Sequence, residues 1–252
     1  TTHYHADMVA SSLYSVVHEG GHALYELHTG RELARSNLGS GVSMGIHESQ
    51  SRFYENIIGR SRAFCSVIYP WLKEHFAPRL DNVTEDDFYR MINKSEPSLI
   101  RTEADELTYC LHIMVRYELE KRMFDGSLTA HDLPAEWNRL YKEYLGIDVP
   151  DDRQGVLQDS HWANGNIGYF PSYAIGSAYG AQYLQEMSRD LDVDAVVRSG
   201  DLTPINNWLE EKIWKYGCMK DPTPLFESVC GKFDPTRYTA YLREKLTEVY
   251  GL

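Results

Sequence analysis

Residues 18–22 read His18-Glu19-Gly20-Gly21-His22. On a helix, positions four apart share one face, a turn apart along the axis. Two imidazoles so placed can reach a single tetrahedral ion at about 2.0–2.1 Å. Glu19 falls one position round, beside the ion rather than on it, where a carboxylate can take a proton from water. The pattern points to a zinc hydrolase. Leu13, Val16, Val17, Leu24 and Leu27 give the surrounding segment, 10–27, an amphipathic helical period. Two glycines in mid-helix cost about 1 kcal/mol each relative to alanine. Their use there is to let another segment, or a substrate, come close.

A zinc site of this kind needs a third protein ligand and leaves a position for water. Glu26 stands eight residues past His18, about 12 Å along the axis, too far for a bond to the same ion. Glu32 follows too soon after the helix stop at Thr29-Gly30 to fold back. A second helix is expected from near Ser43 to about Arg62. Its Glu48 can face both histidines if the two helices run antiparallel, which gives two histidines and a carboxylate. His47, next to it, is a weaker candidate ligand.

Further along, helices are expected at 63–76, from Thr84 with an acidic first turn, from Thr102 to Gly126, at 131–146, and through most of 183–252. In the third of these, the run 103–106 reads as the first turn, and Leu107, Leu111, Met114, Val115 and Leu119 as the apolar stripe. Arg101 falls just before that helix; on its own it reads as a solvated or salt-bridged arginine. Residues 155–180 show no helical or strand period, and mix glycine with His161, Trp162, Tyr169 and Tyr173. Such a segment is either a packed connection with tyrosine as filler or a source of donors for an oxyanion. Gly176 and Gly180, one turn apart, mark a close helix contact. His3 and His5 have ligand chemistry, but an i, i+2 pair near the start carries little weight.

With 42% apolar residues, the 252-residue chain has the composition of a globular protein. No apolar run is long enough to span a membrane, and residues 1–17 carry no basic start followed by an apolar stretch, so neither membrane nor leader is expected. A formal charge of −12 argues against nucleic-acid partners. Cys65, Cys110, Cys218 and Cys230 lack paired spacing and read as free thiols in a reducing compartment, the cytoplasm.

Four separated strings then resemble one family in order. They are His18-Glu-Gly-Gly-His-Ala-Leu-Tyr-Glu26, His47-Glu-Ser-Gln50, Ile100-Arg-Thr-Glu-Ala-Asp-Glu-Leu-Thr108, and Gly155-Val-Leu-Gln-Asp-Ser-His-Trp162 with Gly168-Tyr-Phe-Pro-Ser-Tyr173. Together they resemble the M32 metallocarboxypeptidases, the thermostable Taq-type carboxypeptidases. The resemblance implies a mainly α, helical zincin (gluzincin-like) domain over 1–252 with at most a small β element. It implies a cytoplasmic homodimer that removes single residues from peptides with a free C-terminus. By that resemblance His18, His22 and Glu48 hold Zn²⁺, with Co²⁺ or Mn²⁺ as substitutes, and Glu19 is the general base. Arg101 meets the terminal carboxylate, His161 and Tyr169 assist catalysis, and Tyr173 and His47 contact substrate. Members of the family are about twice as long, and Thr1-Thr2 resembles the tail of a further motif, D-x-R-x-T, so the chain is expected to correspond to the C-terminal catalytic half. The rival expectations are an endopeptidase or dipeptidase with the same site, and an inactive zinc-binding fragment.

Overall fold

The computed structural model describes residues 8–252; His3, His5 and the Thr1-Thr2 pair lie outside them. The chain is mainly α-helical, and no strand occurs among the described residues. It divides into two compact units. One comprises the residues up to Asn93 together with Ile175–Leu252, and the other Lys94–Ala174.

The first unit opens with α1 (Val9–Leu27), which carries the H-E-x-x-H stretch, followed by α2 (Met44–Arg52). Ser43 caps α2, its hydroxyl accepting the Ile46 N–H at 3.2 Å, so the helix starts where the sequence places it. The α-helix does not run unbroken to Arg62, as the sequence reading has it: Phe53–Ile58 forms a π-helical turn. Next come α3 (Arg62–His75) and α4 (Glu85–Ile92), the latter with a reciprocal cap between Thr84 and Asp87. The unit resumes within α7 (Pro171–Met187) and continues through α8 (Val193–Ser199), α9 (Thr203–Lys212), α10 (Pro222–Cys230) and α11 (Pro235–Tyr250). Its main core gathers Tyr25, Ile46, Phe53, Tyr183, Trp214 and Phe226.

Glycines set the packing of α2. A Cβ on Gly21 of α1 would lie 2.7 Å from the Gln50 carbonyl oxygen and from Ser51 Cα. A Cβ on Gly176 of α7 would lie 2.6 Å from the carbonyl carbon and the Cβ of Glu48. So α1 and α7 both approach the backbone of α2 at contact distance, while the neighbouring Gly20 has open space on its side. The close approach expected at 20–21 belongs to Gly21, and the contact expected of Gly176 is made against Glu48.

Held this way, α2 buries polar groups: Glu48, Ser49, Gln50, Ser51 and Arg52 are all in the interior. They have partners. Trp214 Nε1 donates to Gln50 Oε1 at 2.8 Å, Gln50 Nε2 to Ser49 Oγ at 2.8 Å, and Ser51 Oγ to Glu48 Oε2 at 2.9 Å.

In the second unit, α5 spans Tyr109–Phe124 and α6 spans Leu133–Leu145, ended by Gly146 in the left-handed region. Val115, Leu119, Trp137, Leu140 and Tyr141 form its core. Two expectations are corrected here. The helix expected from Thr102 starts at Tyr109, because the Asp105 carboxylate folds back on the Leu107 and Thr108 N–H groups and holds a turn instead. Residues 101–103 form a short 3₁₀ turn, and the stripe members Leu107 and Met114 stand exposed. Second, the irregular segment ends at Phe170; α7 begins at Pro171, whose fixed φ and missing N–H suit a first helical position.

Candidate functional site

Two side-chain constellations stand out, one in each unit. In the first, α1 presents His18 and His22 and α2 presents Glu48. Glu48 Oε2 lies 3.6 Å from His18 Nε2 and 3.8 Å from His22 Nε2. Two ligands about 2.1 Å from a tetrahedral ion are separated by roughly 3.4 Å, so both carboxylate–imidazole spacings come within a few tenths of an ångström of what a shared cation needs, and all three ligand atoms lie within 4.8 Å of one another. No other group of three His, Cys, Asp or Glu among the described residues converges this closely. Glu19 follows His18 on α1, with its side chain on the exposed side of the helix.

Each imidazole is braced from behind. His18 Nδ1 lies 2.9 Å from Glu55 Oε2, which also accepts from Arg52 Nη1 at 2.9 Å. Burial opposes a charge on Glu55, but Arg52 and the bond from His18 hold its carboxyl well below the usual range. An ionised Glu55 only accepts, so His18 donates from Nδ1, and Nε2 is the nitrogen that faces Glu48. His22 Nδ1 lies 3.2 Å from His47 Nδ1, and His47 Nε2 lies 2.7 Å from Glu26 Oε1. Burial pushes the pKa of His22 down against the opposing pull of Glu48, favouring the neutral imidazole that binds metals.

His47 sits behind His22. Both of its ring nitrogens have protein partners, one in His22 and one in Glu26. Glu26, too far along α1 to be a ligand, is its partner. Glu55 was missed by sequence reasoning. Its signal was available: Glu48, Arg52 and Glu55 repeat at i, i+4 and i+7. The π-helical turn that carries Glu55 is a form found often at functional sites.

The second constellation surrounds Arg101, which is buried. Its Nε and Nη2 donate to Asp159 Oδ1 at 3.0 and 2.7 Å, and Nη1 donates to Tyr109 at 2.8 Å. The guanidinium carbon sits 4.8 Å over the Tyr173 ring. Asp159 Oδ2 also meets Arg116 at 2.6 Å, and Arg116 stacks on Trp137 at 4.6 Å. Burial favours a protonated Asp159, but Arg116 and Arg101 together keep its carboxyl below the ordinary range. Two guanidiniums against one carboxylate leave this trio one positive charge in excess. Gln158 Oε1 ties it together, accepting the Arg101 backbone N–H and an Arg116 N–H, each at 2.9 Å.

Within the same unit, His161 Nε2 lies 3.1 Å from the Tyr173 hydroxyl, and the His161 ring lies 5.3 Å from that of Tyr169. The sequence candidates Arg101, His161, Tyr169 and Tyr173 are thus gathered together. Arg116 and the fully buried His112 were not anticipated. Burial and the charges of Arg116 and Arg101 push the His112 pKa down to about 3.

The chain matches the family model described as Carboxypeptidase Taq (M32) metallopeptidase over residues 1–246. It is 45% identical over 252 residues to Carboxypeptidase 1 of Bacillus subtilis (strain 168), covering 99% of this chain and 50% of the relative. It is 42% identical over 253 residues to Thermostable carboxypeptidase 1 of Thermus thermophilus, covering 100% of this chain and 49% of that protein. The solved M32 carboxypeptidase from Deinococcus radiodurans R1 has a TM-score of 0.95 to it at 40% identity, covering 100% of this chain and 51% of that one. The chain spans about half the length of the curated relatives it matches. On this match, and with three side chains placed so that they could hold a metal ion, the chain belongs to the Carboxypeptidase Taq (M32) metallopeptidase family.

Proposed function

We propose that this chain is the catalytic domain of a zinc carboxypeptidase that releases single residues from peptides with a free C-terminus. One observation carries the reading: in an M32 chain, a buried Glu48 carboxylate stands 3.6 and 3.8 Å from the inward nitrogens of His18 and His22. Zn²⁺ held by these three, or Co²⁺ or Mn²⁺ in its place, would supply Lewis acidity for the scissile carbonyl and the attacking water.

The chain's own residues do the rest. Glu19 takes the proton of the attacking water and passes it to the leaving amine. His161 and Tyr169 donate to the oxygen of the carbonyl under attack; one such donor is worth about 10²–10³ in kcat. Arg101 receives the terminal carboxylate, a role supported by the excess positive charge of its trio with Asp159 and Arg116, and Tyr173 supports the guanidinium from below. The reading extends to a cytoplasmic homodimer; four cysteines outside any disulfide suit a reducing compartment.

The decisive variant is Glu19→Gln. It should bind zinc as the unaltered chain does while losing at least about 10² in turnover, read as a C-terminal ladder by mass spectrometry of unblocked peptides. Near-normal turnover would refute the role of Glu19. A second reading has its own support. Arg101 already pairs with Asp159 and Tyr109, which suits a structural arginine and an endopeptidase or dipeptidase. Cleavage of C-terminally amidated peptides at internal bonds would favour that reading, and zinc binding without turnover an inactive half.

A further inference from the structure

The two histidines of the metal triad are braced in different ways. His18 rests directly on a carboxylate. His22 rests on another imidazole, His47, and only that ring reaches a carboxylate, Glu26. The order of donors and acceptors along this row is fixed from its outer end. Glu26 Oε1 accepts the Gly41 backbone N–H at 2.9 Å and lies 2.7 Å from His47 Nε2. A carboxylate only accepts, so the N–H of His47 is on Nε2. When that ring is neutral it holds a lone pair on Nδ1, which accepts from its neighbour at 3.2 Å, His22 Nδ1. His22 then carries its proton on Nδ1 and a lone pair on Nε2, the atom that faces Glu48 at 3.8 Å. The reverse order would aim an N–H at the place where a cation needs a lone pair.

The surroundings hold this row in place. A Cβ on Gly41 would lie 2.3 Å from His47 Nε2 and 2.7 Å from a Tyr25 ring carbon, so only glycine lets the loop lie flat against both. The Tyr25 ring packs 4.8 Å from that of His47, and its hydroxyl accepts the Val42 N–H at 3.2 Å, anchoring the same loop. We propose that Glu26 and His47 are positioning residues, a two-member relay that selects the tautomer of His22 able to bind the metal. The inference rests on the metal site proposed above and concerns neither substrate nor chemistry.

Two readouts test it, neither needing turnover. The first is the two-bond ¹H–¹⁵N spectrum of the metal-free chain labelled in histidine, which reports the tautomer of each ring. His22 should carry its proton on Nδ1 and His47 on Nε2; His22 found with its proton on Nε2 overturns the proposal. The second is zinc affinity by competition with a chromogenic chelator. Partners of this kind are typically worth about 10–100-fold in metal affinity, so Glu26→Ala should bind zinc at least about tenfold more weakly. Glu26→Gln should recover most of the loss, because Gly41 N–H keeps the amide oxygen, an acceptor, turned toward His47. Wild-type affinity in Glu26→Ala, or a Glu26→Gln no better than Ala, overturns the relay. Should Glu26→Ala fail to fold by circular dichroism, the wild-type tautomer spectrum and Glu26→Gln decide. If the unaltered chain binds no zinc at all, the metal reading falls, and the tautomer spectrum alone still decides the relay.

Discussion

Adjacent glycines at the centre of α1 should respond to the same substitution with opposite signs. A methyl group at Gly20 meets nothing within 4 Å. Gly20→Ala therefore gains helix propensity, about 0.5–1 kcal/mol, with no packing cost. A methyl at Gly21 would sit 2.7 Å from Ser51 Cα and the Gln50 oxygen, at least 0.7 Å inside ordinary contact, which starts near 3.4 Å. These are backbone atoms of a helix and cannot rotate away, so α1 and α2 must part. Overpacking of this kind costs about 1–3 kcal/mol, against which the propensity gain is small. Gly21→Ala should thus lose about 1–2 kcal/mol and fall about 1.5–3 kcal/mol below Gly20→Ala. In a chain of this size that is a gap of roughly 3–12 °C in Tm. Because Glu48 rides on α2, the retreat also widens the gaps of 3.6 and 3.8 Å to the histidines, and zinc affinity should fall with stability. Urea melts of the metal-free proteins and a zinc competition titration measure both. Equal stability of the two variants would refute the packing argument, since it would mean that the α1–α2 approach is not set by Gly21.

The buried His112 gives a pH dependence of known sign. Its folded pKa of about 3 lies below the unfolded value of about 6.5, so the unfolded chain binds the proton first. Its contribution to stability is complete above pH 6.5 and is lost as pH falls toward 3, with a slope of up to about 1.4 kcal/mol per pH unit. Urea melts between pH 7 and 5 should show a shallower loss in His112→Phe than in the unaltered chain; identical slopes would contradict the assignment. Metal removal has an equally direct consequence. Zinc at about 100 times its Kd should stabilise the chain by about 2.7 kcal/mol, or roughly 5–10 °C in Tm. A chelator should abolish that gain, and Glu48→Ala should show little of it to begin with. A Tm unmoved by zinc would speak against the site.

The convergence of His18, His22 and Glu48 was legible because its parts obey helical spacing. His18 and His22 are a turn apart on one rod, and excluding Glu26 by axial distance pointed to Glu48 on the next. The glycines were legible as close contacts, but not their partners, since Gly21 and Gly176 meet the backbone of α2 from segments more than 150 residues apart in sequence. The braces were hidden for a related reason. Glu55 depends on a π-helical turn that no propensity announces, and the His22–His47–Glu26 row depends on a loop laid flat by Gly41. The helix expected from Thr102 failed locally: Asp105 had two uses, and the turn closed on Leu107 and Thr108 won over the first helical turn. Arg101 read as ion-paired or ligand-binding, and the structure gives it Asp159, a pairing that needs two segments 58 residues apart.

His18, His22 and Glu48 are proposed to share one cation. Crystals of the chain grown with zinc and measured on either side of the zinc absorption edge test it directly. An anomalous peak is expected within about 2.0–2.2 Å of His18 Nε2, His22 Nε2 and a Glu48 carboxylate oxygen. A peak bound elsewhere, or one held by the two histidines with Glu48 out of reach, would contradict it.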